Sequence, residues 1–202
     1  CEARLKPCLT DGSAVGALCG AQSCKPSPVS NHATLRAPEV PVPVDRAPQL
    51  PALRNIATRL RIESVRATSE AGSGHPTSCC SAAEIMAALF FGQMRFDPGD
   101  PGNEENDRFV LSNGHASMLL YSLLHLSGFE AMTMEQIKNF RQWGSLTPGH
   151  PEAELTPGVE VTTGPLGQGF ANGVGMAIAE RNLRSRFGSE LCDHRTFVVC
   201  GD

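Results

Sequence analysis

Three histidines of this chain stand in turns flanked by glycine or proline: Gly74-His75-Pro76, Asn113-Gly114-His115 and Gly149-His150-Pro151. An imidazole donates and accepts protons near neutral pH, and glycine lets backbone approach a ligand closely. Pro76 restricts His75 to extended geometry, which aims its ring into a cleft. A further glycine run, Gly164-Pro165-Leu166-Gly167-Gln168-Gly169, opens a helical pattern. Backbone N–H groups at a helix start receive anionic or heteroaromatic acceptors. No Gly-Lys-Ser/Thr follows it, and its glycine spacing does not match the dinucleotide fingerprint. Gly201-Asp202 leaves a strand-like run. A carboxylate beside glycine at a strand exit suits a divalent metal holding a diphosphate, because hard cations choose oxygen ligands. For the three turn histidines, metal ligation and hydrogen bonding to phosphate or sugar oxygens both stay open at this level. His125 differs: in an apolar helix it reads as a satisfied core or surface residue.

The elements that must carry these turns alternate between helix and strand. Leu53, Ile56, Ala57, Leu60 and Ser64 follow helical spacing, and Gly72-Ser73-Gly74 ends that helix. Ser81-Ala82-Ala83-Glu84 has the form of a capping box and predicts a helix start ahead of Ile85. Asp97 to Gly102 is a turn cluster. Arg108 to Ser112 predicts a short strand, and Met118 to Leu126 a mostly buried helix closed by Gly128. Thr133-Met134-Glu135-Gln136 is a second capping box, opening a short helix to about Phe140. Gly144 to Pro157 reads as loop, Val159 to Thr163 as a strand or extended entry, and Gln168 to Arg186 as helix ended by Gly188. Thr196 to Cys200 predicts a buried strand. Strands alternating with helices give an α/β fold, part of a doubly wound parallel sheet with helices on both faces. Ligands in such sheets sit beyond the carboxyl ends of the strands. Both Asn113-Gly114-His115 and Gly201-Asp202 fall there.

Composition narrows the classes. The chain has 202 residues, 41% hydrophobic and 19% charged, enough for a core. Lys+Arg number 17 against 21 Asp+Glu, a net charge of −4, with no basic stripe for nucleic acid. The longest apolar runs, such as Ile85 to Phe91, are too short to span a bilayer. Residues 1–49 are an irregular tail or leader rich in Pro, Ala and Ser, with Val40-Pro41-Val42-Pro43-Val44 extended. A cytoplasmic address is expected, or a plastid one where residues 1–49 are a transit peptide. Of 8 cysteines, four lie in the first 24 residues in no zinc-like spacing, and free thiols are expected. The chain begins at Cys1 rather than Met, as a fragment or processed form would.

Four segments together closely resemble transketolase: Ser73-Gly74-His75-Pro76, Asp107 to His115, Thr147-Pro148-Gly149-His150-Pro151-Glu152, and Thr162 to Gly169. They occur in family order, and the resemblance runs from about Leu50 to Asp202. It implies that residues 50–202 are the first portion of a thiamin diphosphate-binding domain. It further implies a homodimeric transferase that uses thiamin diphosphate with Mg2+ or Ca2+ to move a two-carbon ketol unit between sugar phosphates. On that likeness His75 and His150 are catalytic, facing the reacting end of the substrate and the cofactor, and His75 also binds substrate. His115 contacts the cofactor near its phosphates. Gly164, Pro165 and Leu166 shape the pocket around the aminopyrimidine. Gly201 and Asp202 begin a Gly-Asp-Gly motif, with Gly201 at the cofactor and Asp202 a metal ligand. The rest of that motif and the cofactor-activating half are expected past Asp202, so the chain holds most of one wall of a site. Thr77 to Glu84 looks animal-type and Leu111 to Glu152 bacterial-type, a mixture without a physical account. A related thiamin-dependent carboligase is the near alternative. A truncated, non-catalytic product acting through association is the distant one, because a sheet cut after one strand exposes apolar edges.

Overall fold

A computed structural model describes residues 49–201. The four cysteines before residue 25, the tail and Asp202 therefore lie outside the described residues. Helix α1 spans Leu50–Glu70, with proline in its first turn, where the missing N–H costs nothing. Ala57, Leu60, Ser64, Ala67 and Thr68 form its buried stripe at i, i+3, i+4 spacing. It ends as its sequence predicts: Gly72 takes φ 60°, and Ser73 N–H returns to the Thr68 carbonyl at 3.1 Å.

Helix α2 spans Pro76–Gly92, so the start expected at Ser81 is corrected. Pro76 presets the helical φ, and His75 becomes the N-cap residue. Ser81 then falls inside the helix, where its Oγ donates to the Ser78 carbonyl, and Glu84 pairs with Arg61. Small residues Cys79, Ala82, Ala83 and Ala87 let α2 approach α1 and α3 closely, with Met86 and Phe90 filling the remaining space.

Strand β1 (Arg108–Leu111) leads through a single 3-10 turn, Gly114–Ala116, into α3 (Ser117–Ser127). Every residue of α3 from Ser117 to Leu124 is buried, so it forms the centre of the core. Gly128 closes it at φ 91°, a conformation that favours glycine. Helix α4 (Met134–Lys138) is short and capped as expected, Thr133 Oγ1 accepting from Gln136 N–H. Helix α5 covers Gln168–Phe187 and β2 Thr196–Val199.

The two strands pair in parallel, Arg108 opposite Thr196 and Leu111 opposite Val199. Alternation sorts their side chains between two faces. Phe109, Leu111, Phe197 and Val199 join the cluster built on α2 and α3, with Phe90 edge-on to Phe109 at 4.9 Å. Val198 points the other way and meets Gly173 of α5. Helices therefore cover both faces of a parallel sheet. Two expectations need correction. Strand β2 is half-buried along its length, not buried, because among the described residues it pairs with β1 alone. Val159 to Thr163 forms no strand: Thr163 N–H goes to the Pro151 carbonyl and Ala153 N–H to Thr162 Oγ1, so this segment lines the loop before it.

The lower ends of the strands are tied by Asp107, whose side chain is 0% exposed. It accepts from Arg95 N–H at 2.9 Å, Arg195 N–H at 2.7 Å and Arg195 Nη2 at 2.7 Å. Burial alone would raise this carboxyl, but the Arg195 side chain, the two backbone donors and the Arg195 charge hold it below the usual range. No helix among the described residues is long and apolar enough to cross a membrane.

Candidate functional site

The opposite, upper rim gathers the histidine turns. His75 caps α2, and its ring lies edge-on to that of His115 with centroids 5.0 Å apart. His115 follows β1 in the 3-10 turn, and its Nε2 is 3.0 Å from Ser78 Oγ, one turn into α2. That contact orients the ring from an element the motif does not include. His150 lies against Gly164: a Cβ on that glycine would stand 3.3 Å from the imidazole. Partial burial lowers the His150 pKa first, and the charges of Arg141, His75 and His115 lower it further against an opposing Glu152. Its ring is therefore held in the neutral form, which has one donor and one acceptor nitrogen.

Glycines bring the loops together. A Cβ on Gly114 would stand 2.7 Å from the Gly164 nitrogen and 2.7 Å from Thr163 Oγ1. A Cβ on Gly169 would stand 2.7 Å from the Ser112 Cα. The Asn113-Gly114-His115 turn and the Gly164 loop thus touch backbone to backbone, as only residues lacking a Cβ permit. Two hydrogen bonds lock the contact: Thr163 Oγ1 donates to the Leu111 carbonyl at 2.7 Å, and Phe170 N–H donates to Ser112 Oγ at 3.0 Å.

Two recesses open here. One, of about 720 Å3, is lined by Ser78, Asn113, His115, Leu166, Cys200 and Gly201 among others. The second, of about 660 Å3, is lined by His150, Glu152, Thr163, Gly164 and Pro165 among others. Leu166, at the first, is 70% exposed. The sequence-predicted residues His75, His115, His150, Gly164, Pro165, Leu166 and Gly201 therefore meet at one rim, and Asp202 lies outside the described residues. Among the described residues no group of three His, Cys, Asp or Glu could hold a metal. His125 binds the Met132 carbonyl through Nδ1 at 2.8 Å, the satisfied role expected of it. Cys79, Cys80, Cys192 and Cys200 are free thiols.

The sequence did not single out Ser78, Asn113, Thr163 or Arg141. Asn113 stood inside the Asn-Gly-His motif, yet its own part was not apparent. Its Oδ1 is buried without a hydrogen-bond partner at the floor of the first recess. An orphaned buried acceptor costs about 1–3 kcal/mol, so this site suits a bound molecule carrying a donor.

An α/β domain with glycine-packed loops and histidines beyond its strand ends defines a small-molecule site of the parallel-sheet class. The family model "Transketolase, thiamine diphosphate binding domain" matches residues 53–202. The chain is 50% identical over 176 residues to "Transketolase 2" of Xanthobacter flavus, covering 86% of this chain and 25% of that protein. It is 50% identical over 153 residues to "Transketolase, chloroplastic" of Zea mays, covering 74% of this chain and 23% of that one. The structure of transketolase from Leishmania mexicana superposes with a TM-score of 0.72 at 47% identity, over 74% of this chain and 23% of that chain. The chain belongs to the transketolase family, within its thiamine diphosphate-binding domain. It spans about a quarter of the length of the curated relatives it matches.

Proposed function

We propose that the whole protein is a transketolase-type transferase moving a two-carbon ketol unit between ketose and aldose phosphates with thiamin diphosphate and Mg2+ or Ca2+. The convergence of His75, His115, His150 and the Gly164 loop at one rim carries this reading. The cofactor, when bound, supplies the carbon nucleophile that the protein itself lacks. The residues present fit it: the orphaned Asn113 Oδ1 offers an acceptor in the wall of the first recess, and Gly167 beside it has open space where a Cβ would stand. His115, braced by Ser78, holds the cofactor near its phosphates, and Gly164, Pro165 and Leu166 flank its ring. Gly201 approaches the diphosphate without a Cβ, and Asp202 is a metal ligand. His150, kept neutral by burial and by neighbouring positive charge, accepts or donates a proton at a substrate hydroxyl, and His75 binds the same end.

Residues 50–202 act as one wall of this domain, with residues 1–49 a tail or leader, and by themselves they are expected to be inactive. Association into a homodimer is supported by the apolar stripe of α5, where Phe170, Val174 and Ile178 are 53%, 46% and 65% exposed. The same stripe is what favours the second reading, a chain that acts only by association. Bacterial relatives support a cytoplasmic address, and the maize relative named chloroplastic supports a transit role for residues 1–49. Calorimetric titration of thiamin diphosphate with Mg2+ into the full-length protein tests the proposal, together with a ketol-transfer assay. Binding that weakens in His115→Ala, with transfer lost in His150→Ala, is expected. No heat of binding in the parent would end it, and binding with transfer of the ketol unit only to an aldehyde that is not a sugar phosphate would point to a related carboligase.

A further inference from the structure

Arg141 follows α4 in a left-handed backbone conformation, φ 61°, alone among the described non-glycine residues. Such a conformation costs about 1–2 kcal/mol for a residue bearing a Cβ, so surrounding contacts must hold it. Its N–H donates to the Thr147 carbonyl at 2.9 Å, fixing it to the segment that leads to His150. Its side chain reaches the other histidine turn: Nη1 donates to Ser73 Oγ at 2.5 Å, two residues before His75. The guanidinium also lies on Gly149, where a Cβ would stand 3.2 Å from Nε and 3.3 Å from Cζ. Nε itself is buried without a partner, a forfeited donor that a freely placed arginine would not accept. From the far side, Tyr121 Oη donates to the Pro148 carbonyl at 2.9 Å and Ser117 Oγ to the Gly149 carbonyl at 2.8 Å. The His150 turn is therefore gripped between α3 and the arginine.

We propose that Arg141 is a positioning residue that clamps the Ser73–His75 turn to the Gly149–His150 turn across the rim. Its consequence for catalysis rests on the reading that these two histidines face substrate; the clamp itself does not. The groups facing His150 are Arg141, His75, His115 and Glu152, and the first three disfavour its charged form. A clamp that is also a cation thus supports the neutral ring while it sets the spacing. Lysine would keep the charge but not the planar fork that reaches Ser73 while lying flat on Gly149.

The test is a set of 15N-labelled chains carrying Arg141→Met, Arg141→Lys or Ser73→Ala, followed by amide spectra and histidine Cε1–H titrations. Arg141→Met is expected to shift the amide resonances of both turns and to move the His150 titration midpoint upward. Arg141→Lys is expected to restore the midpoint while leaving the Ser73 side displaced. Ser73→Ala, a surface change that keeps the charge, is expected to disturb Gly149 and His150 through the released guanidinium, with the midpoint unmoved. Arg141→Met that perturbs one turn only, or leaves the midpoint at the parent value, overturns the clamp. Where Arg141→Met does not fold, Ser73→Ala decides, and silence at Gly149 and His150 overturns it. Absent thiamin diphosphate binding in the full-length protein, with both turns responding, would remove the functional reading and leave the clamp standing.

Discussion

Replacing Gly114 by alanine isolates the contact that joins the two rim loops. The new Cβ would stand 2.7 Å from the Gly164 nitrogen, 2.7 Å from Thr163 Oγ1 and 2.9 Å from the Thr163 carbonyl carbon. Two of those atoms are backbone, so no rotamer change relieves the overlap. The Thr163–Gly164 segment must retreat, and Thr163 Oγ1 loses its 2.7 Å bond to the Leu111 carbonyl. Overpacking costs about 1–3 kcal/mol, the buried bond adds about 1, and the stiffer unfolded chain returns about 0.4–1. A net loss of about 1–3.5 kcal/mol is expected from those opposing effects, a large share of a typical domain's stability. Urea unfolding followed by circular dichroism measures it, with an unchanged slope confirming that stability alone moved. Gly175→Ala is the control: a Cβ there meets nothing within 4 Å inside α5. It is expected to stabilise by about 0.5–1 kcal/mol through helix propensity. A Gly114→Ala protein within about 0.5 kcal/mol of the parent, the range of neutral surface changes, would refute the argument. So would equal losses at both positions.

Asp107→Asn turns an acceptor into a donor facing Arg195 and is expected to cost about 3 kcal/mol, the low end for a broken buried pair because Arg195 is partly exposed; an unchanged melting temperature would contradict this. Acid should destabilise the domain in two windows. The depressed His150 pKa means the unfolded chain takes up protons first, so stability is lost as pH falls below about 6.5. The depressed Asp107 pKa gives a second loss as pH falls below about 4. His150→Gln should flatten the first window only, and unfolding midpoints across pH in parent and variant check it. Ile178→Glu should reduce self-association in sedimentation velocity while shifting stability by no more than about 0.5 kcal/mol; undiminished association would exclude the α5 stripe as a contact surface.

Local punctuation made much of the fold legible. Gly72, Gly128 and Gly188 ended helices where expected, and Thr133 capped α4, because these residues act through their own backbone or the next turn. The Ser81 capping signal failed because it competed with Pro76, and a helix already nucleated at a proline runs through a serine without penalty large enough to stop it. The segment Val159 to Thr163 forms no strand because it meets β1 through side chains, Glu160 with Arg108 and Thr163 Oγ1 with the Leu111 carbonyl, while its Thr163 N–H turns to Pro151, a fact of tertiary placement. The candidate site followed the same division. His75, His115, His150 and the Gly164 loop were visible as turns. Ser78, Thr163 and Arg141 were not, since each acts on a partner more than 30 residues away, and nothing local in the sequence marks Arg141 for a left-handed conformation.

The two ends of the sheet divide the work in a way that explains where tolerance should lie. At the lower end Asp107 draws both strands together through charged and backbone donors, so the register of β1 against β2 is set far from the histidines. Register at the lower end fixes where Leu111 and Val199 stop, and hence where Ser112 and Cys200 begin the upper loops. There the contacts are glycine against backbone and hydroxyl against carbonyl, short in range and intolerant of an added methyl. A displacement of the strands by one residue would turn the shifted strand's core side chains to the wrong face, and a slip of β2 would also part Val198 from Gly173 of α5. The lower ion pairs therefore protect the site at a distance, by specifying register rather than by touching any ligand. Substitutions at Asp107 should consequently disturb the proposed thiamin diphosphate binding only as far as they disturb folding, whereas those at Gly114 should disturb it in molecules that remain folded.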